Sequence, residues 1–163
     1  MKKILSIFLI LVLALCVFSA CKSGNTDKDV ADPPDKTEDG GEEITTMYIT
    51  VNGKRAEVTL ADNSATAELV KILKNSDIVY YADDYGGFEK VGNLGHTLPK
   101  SDTQITTEAG DIMLYLGNQI VIFYGSNSWS YTRLGKINGY SAEEIASLLG
   151  AGQGRVQITL SLK

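Results

Sequence analysis

The side chains best suited to catalysis are few in this sequence. The single histidine, His96, could act as a base for Ser126 or Ser128, with Asp111 completing a hydrolytic triad. The chain has no Gly-x-Ser-x-Gly segment, which would supply the sharp turn that exposes a serine nucleophile. A lone histidine in a loop is most often a solvated surface residue. We therefore assign no catalytic residue.

Two other patterns resemble binding sites without matching one. Asp83, Asp84 and Glu89 could hold a hard cation such as Ca²⁺, but their spacing is not that of an EF-hand loop. The glycines of residues 150–154 follow a predicted helix and precede a strand, whereas a nucleotide-binding loop follows a strand and opens a helix. The sequence predicts neither a metal nor a cofactor.

A cluster of aromatic residues around one arginine is the stronger candidate for binding. If the strand begins early enough, Trp129, Tyr131 and Arg133 alternate onto one face. Two aromatic rings beside a planar cation could bind a peptide carbonyl, a carboxylate or a stacked ring. In the alternative interpretation both rings are buried, and Arg133 pairs with Asp111 or Glu89 and contributes only stability.

The amino terminus has the pattern of a lipoprotein signal. Lys2 and Lys3 precede a twelve-residue apolar run over residues 7–18, which is too short for a membrane span of roughly 20 residues. Ser19 and Ala20 then precede Cys21, as in a bacterial lipobox. We predict that residues 1–20 are a signal peptide and that Cys21 is lipidated. The chain would then be anchored by lipid to the cell membrane on its extracytoplasmic face.

An acidic segment separates the predicted anchor from the rest of the chain. Residues 22–43 contain eight acids and three lysines, a net charge of −5, and no aromatic residue. Such a segment cannot bury enough apolar area to offset the entropy of ordering, so we interpret residues 21–43 as the lipidated cysteine and a disordered tether. The whole chain of 163 residues also carries −5. This acidic balance argues against nucleic acid as a partner.

Residues 44–163 have the pattern of one mainly β domain. Asn52-Gly53 lies between two alternating runs and predicts a two-residue hairpin. Two short helices are predicted, over residues 64–73 and over residues 141–149, the second with a Ser141/Glu144 capping box. Strands are predicted over residues 47–51, 55–60, 78–82, 112–116, 119–124, 131–137 and 155–162. Gly117-Asn118 predicts a second two-residue turn, and residues 83–107 are predicted to form a loop. About seven strands and two short helices favour a closed β-barrel.

Several segments, in order, resemble the bacterial cyclophilin-like domain family. The resemblance covers residues 46–162 and rests on Tyr48-Ile49-Thr50-Val51-Asn52-Gly53, Asp84-Tyr85-Gly86-Gly87-Phe88-Glu89-Lys90, Leu98-Pro99, Ala109-Gly110-Asp111-Ile112-Met113-Leu114-Tyr115, Ile122-Phe123-Tyr124-Gly125 and Ser130-Tyr131-Thr132-Arg133-Leu134-Gly135-Lys136-Ile137. It implies a closed cyclophilin-like barrel. The family-like loop at Gly86-Gly87 also suggests that Tyr85 forms the wall opposite Trp129, Tyr131 and Arg133.

The resemblance does not carry the catalytic residues of true cyclophilins. Those enzymes isomerise peptidyl-prolyl bonds with an arginine, a phenylalanine, a glutamine, a tryptophan and a histidine, and their Phe-His-Arg and Gln-Gly-Gly segments are absent from this sequence. We therefore predict a non-catalytic module that binds a small ligand, a peptide or an envelope protein. The alternative is a divergent prolyl isomerase, and a proline-isomerisation assay on residues 44–163 separates the two.

Overall fold

The computed structural model describes residues 43–163. The predicted signal peptide, Cys21 and the tether up to residue 42 lie outside these residues, so their assignments stay predictions. Within the described part, no helix has both the length and the apolar character needed to cross a membrane.

The described residues form nine strands and two helices. In chain order they are β1 (Thr46–Val51), β2 (Lys54–Leu60), α1 (Ser64–Asn75), β3 (Ile78–Tyr85), β4 (Glu89–Asn93), β5 (Thr103–Thr106), β6 (Asp111–Tyr115), β7 (Gln119–Phe123), β8 (Ser128–Ile137), α2 (Ala142–Leu149) and β9 (Val156–Ser161).

Eight of these strands close into an antiparallel barrel. Their order is β2-β1-β9-β3-β4-β7-β6-β8, and β8 pairs back onto β2 through Val58 and Ile137. The short strand β5 pairs with the first half of β8, beyond the part of β8 that closes the barrel. The predicted fold class, a mainly β closed barrel with two short helices, is confirmed. Among the described residues, the strands that close the barrel and both apolar clusters lie within residues 46–162, so we take residues 43–163 to fold on their own.

Both faces of the most apolar strands are covered, as the lack of alternation in their sequences predicts. On β6 and β7, Ile112, Leu114, Ile120 and Ile122 belong to the main cluster in the barrel interior. The residues between them point the other way, because successive side chains of a strand alternate between faces. Met113, Val121 and Phe123 form a second cluster on the outer wall, together with Tyr131 of β8.

The two helices begin and end at residues that satisfy their free backbone groups. Asn63 caps α1 by accepting from the backbone amides of Ala65 and Thr66. Ser141 and Glu144 form the predicted capping box of α2, and Gly150 ends that helix with a φ of 60°. Apolar side chains of both helices join the interior cluster, so each helix packs onto the barrel core.

The structure corrects the sequence analysis at two connections. The segment from residue 83 to residue 107, predicted as one loop, extends β3 and contains β4 and β5. The turn predicted at Gly117-Asn118 lies one residue earlier, with positive φ at Leu116 and Gly117. The first hairpin turn, at Asn52 and Gly53, is confirmed by φ angles of 50° and 77°.

Candidate functional site

A cavity of about 420 Å³ lies on the outer wall of the barrel, over the second apolar cluster. This volume is in the range of pockets for small molecules. The lining residues are Tyr85, Glu89, Val91, Tyr115, Val121, Asn127, Trp129 and Tyr131.

Strand pairing brings these side chains together. Val91 on β4 pairs with Val121 on β7, and Val121 pairs in turn with Met113 on β6, so one continuous outer face runs across three strands. Strand β8 starts at Ser128, early enough to include Trp129. Trp129 and Tyr131 therefore alternate onto the face of β8 that borders the cavity.

The aromatic wall is fixed at its base and exposed at its rim. Tyr131 is buried and makes edge-to-face contacts with Tyr115 and Phe123, with ring centroids 5.9 and 5.6 Å apart. Its hydroxyl accepts a hydrogen bond of 3.1 Å from Asn127 Nδ2. Burial, and then the nearby Glu89 carboxyl, raise the pKa of Tyr131. Tyr85 and Trp129 stand at the rim and are 66% and 56% exposed.

Glu89 is the one acidic residue among those that line the cavity. Its side chain is only 5% exposed, and its Oε2 atom has no hydrogen-bond partner among the described residues. Burial without a partner disfavours the charged form of a carboxyl group and raises the pKa of Glu89 to about 7. A buried, unpartnered acid in a ligand-sized cavity is typical of a functional site.

The structure brings three of the four predicted site residues to the cavity. Tyr85, Trp129 and Tyr131 line it. Arg133 continues the same strand but is not among the lining residues; its Nη1 lies 2.8 Å from Oδ1 of Asp111, whose side chain is 3% exposed. Asp111 is one of the two carboxylates named as its partner in the alternative interpretation. Ligand binding by the predicted residues stays a prediction.

The other chemical candidates are separated by the fold. Asp83 forms an exposed ion pair with Arg155, and Asp84 pairs with the buried Lys90, while Glu89 faces the cavity. Within residues 43–163, no group of three or more histidine, cysteine or acidic side chains is placed to hold a metal ion.

The described residues give no support for a hydrolytic triad built on His96. It is exposed, whereas the hydroxyl of Ser128 is hydrogen-bonded to Thr106 and the carboxylate of Asp111 to Arg133.

Sequence reasoning did not select Val91, Tyr115, Val121 or Asn127 as site residues. It considered Glu89 only as a cation ligand or as a partner of Arg133. Tyr115 and Val121 lie in strands so apolar that their sequences do not distinguish the inner from the outer face. Glu89 lies in a strand that the sequence analysis placed inside a loop. The usable signal was the alternation from Glu89 to Val91, which becomes informative only once that segment is treated as a strand.

Fold and site together define a small closed β-barrel domain with its main apolar cluster in the interior and a ligand-sized cavity on its outer wall. The chain belongs to the cyclophilin-like family, whose family model matches residues 49–161. The solution structure of a hypothetical protein from Archaeoglobus fulgidus is similar, with a TM-score of 0.56 and 17% identity over 76% of this chain and 99% of the other. This likeness shows the shared fold. No curated protein matches the chain.

Proposed function

We propose that the barrel is a binding module for a small ligand and that the outer cavity is its binding site. The observation that carries this proposal is a preformed cavity of about 420 Å³ with mostly apolar and aromatic walls and a single unpartnered carboxyl group. Small-molecule sites combine such walls with a few polar groups that orient the ligand.

The geometry supports binding more than isomerase chemistry. Catalysis of prolyl isomerisation in this fold would need a donor aimed at the imide nitrogen, and Arg133 is the side chain near the aromatic wall that could supply it. In the structure its guanidinium contacts Asp111 and lies outside the set of residues that line the cavity.

We expect Tyr85→Ala to weaken ligand binding by about fivefold, because it removes an aromatic wall at the rim of the site. Residues 43–163 would be incubated with the low-molecular-mass fraction of a bacterial cell extract, and bound masses read by native mass spectrometry. The chain has one tryptophan, Trp129, and it lines the cavity, so its fluorescence gives a second measure of occupancy.

Tyr81→Ala is the matched control. Tyr81 lies on the same strand, is 59% exposed against 66% for Tyr85, and is not among the residues that line the cavity. Its removal should leave binding unchanged. Equal loss in the two variants, or the absence of any bound mass with the unaltered domain, would contradict the proposed site.

We also propose that Cys21 anchors this module to the extracytoplasmic face of the cell membrane. The lipobox-like Ser19-Ala20-Cys21 and the apolar run before it support this proposal. Two or more acyl chains give stable anchoring, because each buried CH₂ contributes about 0.8 kcal/mol.

We expect Cys21→Ser to release the protein into the medium or to leave its signal peptide uncleaved. Fractionation and immunoblotting of the two forms would show this change, with Cys16→Ser as a control that leaves the anchor in place. An unaltered chain that carries no lipid by mass spectrometry would refute the anchor.

A further inference from the structure

The outer cavity combines an aromatic wall with a single carboxyl group. Four of the lining residues are aromatic, namely Tyr85, Tyr115, Trp129 and Tyr131. The faces of such rings carry negative electrostatic potential and attract cations, most strongly for tryptophan. No lysine or arginine is among the residues that line the cavity. Its walls therefore favour positive charge.

The basic residues nearest to Glu89 in the sequence and on the same wall already have other partners. Lys90 follows it in β4 but points into the barrel, where its Nζ lies 2.8 Å from Asp84. Arg133 is bound to Asp111. None of the ion pairs among the described residues includes Glu89. Within residues 43–163, the place of a counter-ion for this carboxylate is therefore open to a ligand.

Resting on the proposed binding function, we propose that the cavity binds a small alkylated ammonium ion, with the aromatic rings around the cation and Glu89 as its counter-ion. Alkylation matters because a primary ammonium group carries three donors that all need acceptors. Asn127, the other polar side chain of the wall apart from the tyrosine hydroxyls, already donates to Tyr131 and accepts from the amide of Ser128. A quaternary ammonium carries no N–H donor and matches this wall.

The other ionisable side chains that line the cavity around Glu89 do not change their charge near neutral pH. Tyr85 faces it from β3, Tyr115 from β6 and Tyr131 from β8, and all three are phenols. Tyr124 directly follows β7 and donates a hydrogen bond to Asp84. Burial first, and then the charges of Asp84 and Glu89, raise the pKa of Tyr124 to about 12. Phenols are neutral near pH 7, so Glu89 is the group whose ionisation governs binding of a cation there. Its pKa of about 7 predicts affinity that falls as the pH drops below that value.

The test compares choline with its neutral isostere dimethylbutanol, in which a tert-butyl group replaces the trimethylammonium group. Binding to residues 43–163 would be measured by calorimetry and by the fluorescence of Trp129. Choline should bind at least about tenfold more tightly than the isostere near pH 8. Between about pH 6 and pH 7 its affinity should rise several-fold and then level off.

Variants separate the charge from the shape of the site. Glu89→Gln keeps the size of the side chain. It should reduce the preference for choline to the part that the aromatic rings supply and should remove its pH dependence, while Tyr81→Ala should change neither. Equal affinity for the two compounds, or a pH dependence of choline binding that survives Glu89→Gln, would overturn the ammonium assignment. If extract components bind but neither compound does, the assignment fails and the binding function stands. If nothing binds at all, the binding function itself fails.

Discussion

Glu89→Gln should make the barrel more stable near pH 8, by up to about 3.5 kcal/mol. The reason is that the unpartnered carboxyl of Glu89 must ionise inside the protein at this pH, and burial raises its pKa from 4.5 to about 7. Each unit of pKa difference between the folded and unfolded chain corresponds to about 1.4 kcal/mol. Glutamine has nearly the same shape and carries no charge, so the variant avoids this penalty.

The sign of the pH dependence follows from the raised pKa. Below about pH 4.5 the carboxyl is protonated in both the folded and the unfolded chain, and Glu89→Gln should then change the free energy of unfolding little. As the pH rises from about 4.5 to about 7, the unfolded chain loses the proton that the folded chain still holds, so the unaltered protein loses stability relative to the variant over this range. The gap should be constant above about pH 8.

Urea unfolding at a series of pH values would measure this gap. Glu57→Gln is the control: Glu57 is exposed on β2, and its substitution should change the free energy of unfolding by less than about 0.5 kcal/mol. If Glu89→Gln is instead less stable near pH 8, the Glu89 carboxylate has a stabilising partner in the protein and is not a free counter-ion. Functional sites often contain a group that lowers the stability of the fold because binding requires it, and Glu89 would be such a group.

The architecture was largely predictable because its signals are local. Asn52-Gly53 requires positive φ at two successive residues, and the structure shows both. The helix ending at Gly150 and the capping box of Ser141 and Glu144 are equally local. β4 and β5 were missed because each has only one large apolar side chain, Val91 in β4 and Ile105 in β5, whereas the equally short β6 and β7 are mostly apolar.

The site was only partly predictable because its polar chemistry depends on residues distant in sequence. Glu89 and Lys90 are adjacent charged residues, and nothing in their own sequence shows that one faces the outer cavity and the other the barrel interior. Lys90 tolerates complete burial because Asp84 and the carbonyl oxygen of Gly154, 64 residues away, bind its ammonium group. Alternation along β8 correctly placed Trp129 and Tyr131, but it could not show that Asp111 holds Arg133.

The ion pair between Lys90, on the inner face of β4, and Asp84 is the interaction whose removal should lower stability most. Lys90 is 0% exposed, and its Nζ lies 2.8 Å from Oδ1 of Asp84. Asp84 also accepts hydrogen bonds from Tyr124, at 3.0 Å, and from the amide of Gly154, at 2.8 Å. Burial would raise the pKa of Asp84, but these donors, Lys90 foremost, outweigh it and lower the pKa to about 2.

We therefore expect Asp84→Asn to lower the free energy of unfolding by about 3–5 kcal/mol, since it leaves a buried ammonium group without its counter-ion. The adjacent acid is a matched control: Asp83 forms an ion pair with Arg155 that is more than half exposed on both sides, so Asp83→Asn should cost under about 1 kcal/mol. Denaturant unfolding near neutral pH would measure both variants.

A double variant and a pH series complete the test. Asp84→Asn with Lys90→Met removes both charges, so its loss should be well below the sum of the two single losses. Because the pKa of Asp84 is lowered, its stabilisation should be fully present above about pH 4 and disappear as the pH falls through about 2. If Asp84→Asn is no more damaging than Asp83→Asn, or if the double variant loses the full sum, then the charge pair does not hold the end of β4 to the Gly154 loop. The position of Glu89, at the start of the same strand, would then depend on the strand pairing of β4 with β3 and β7 alone.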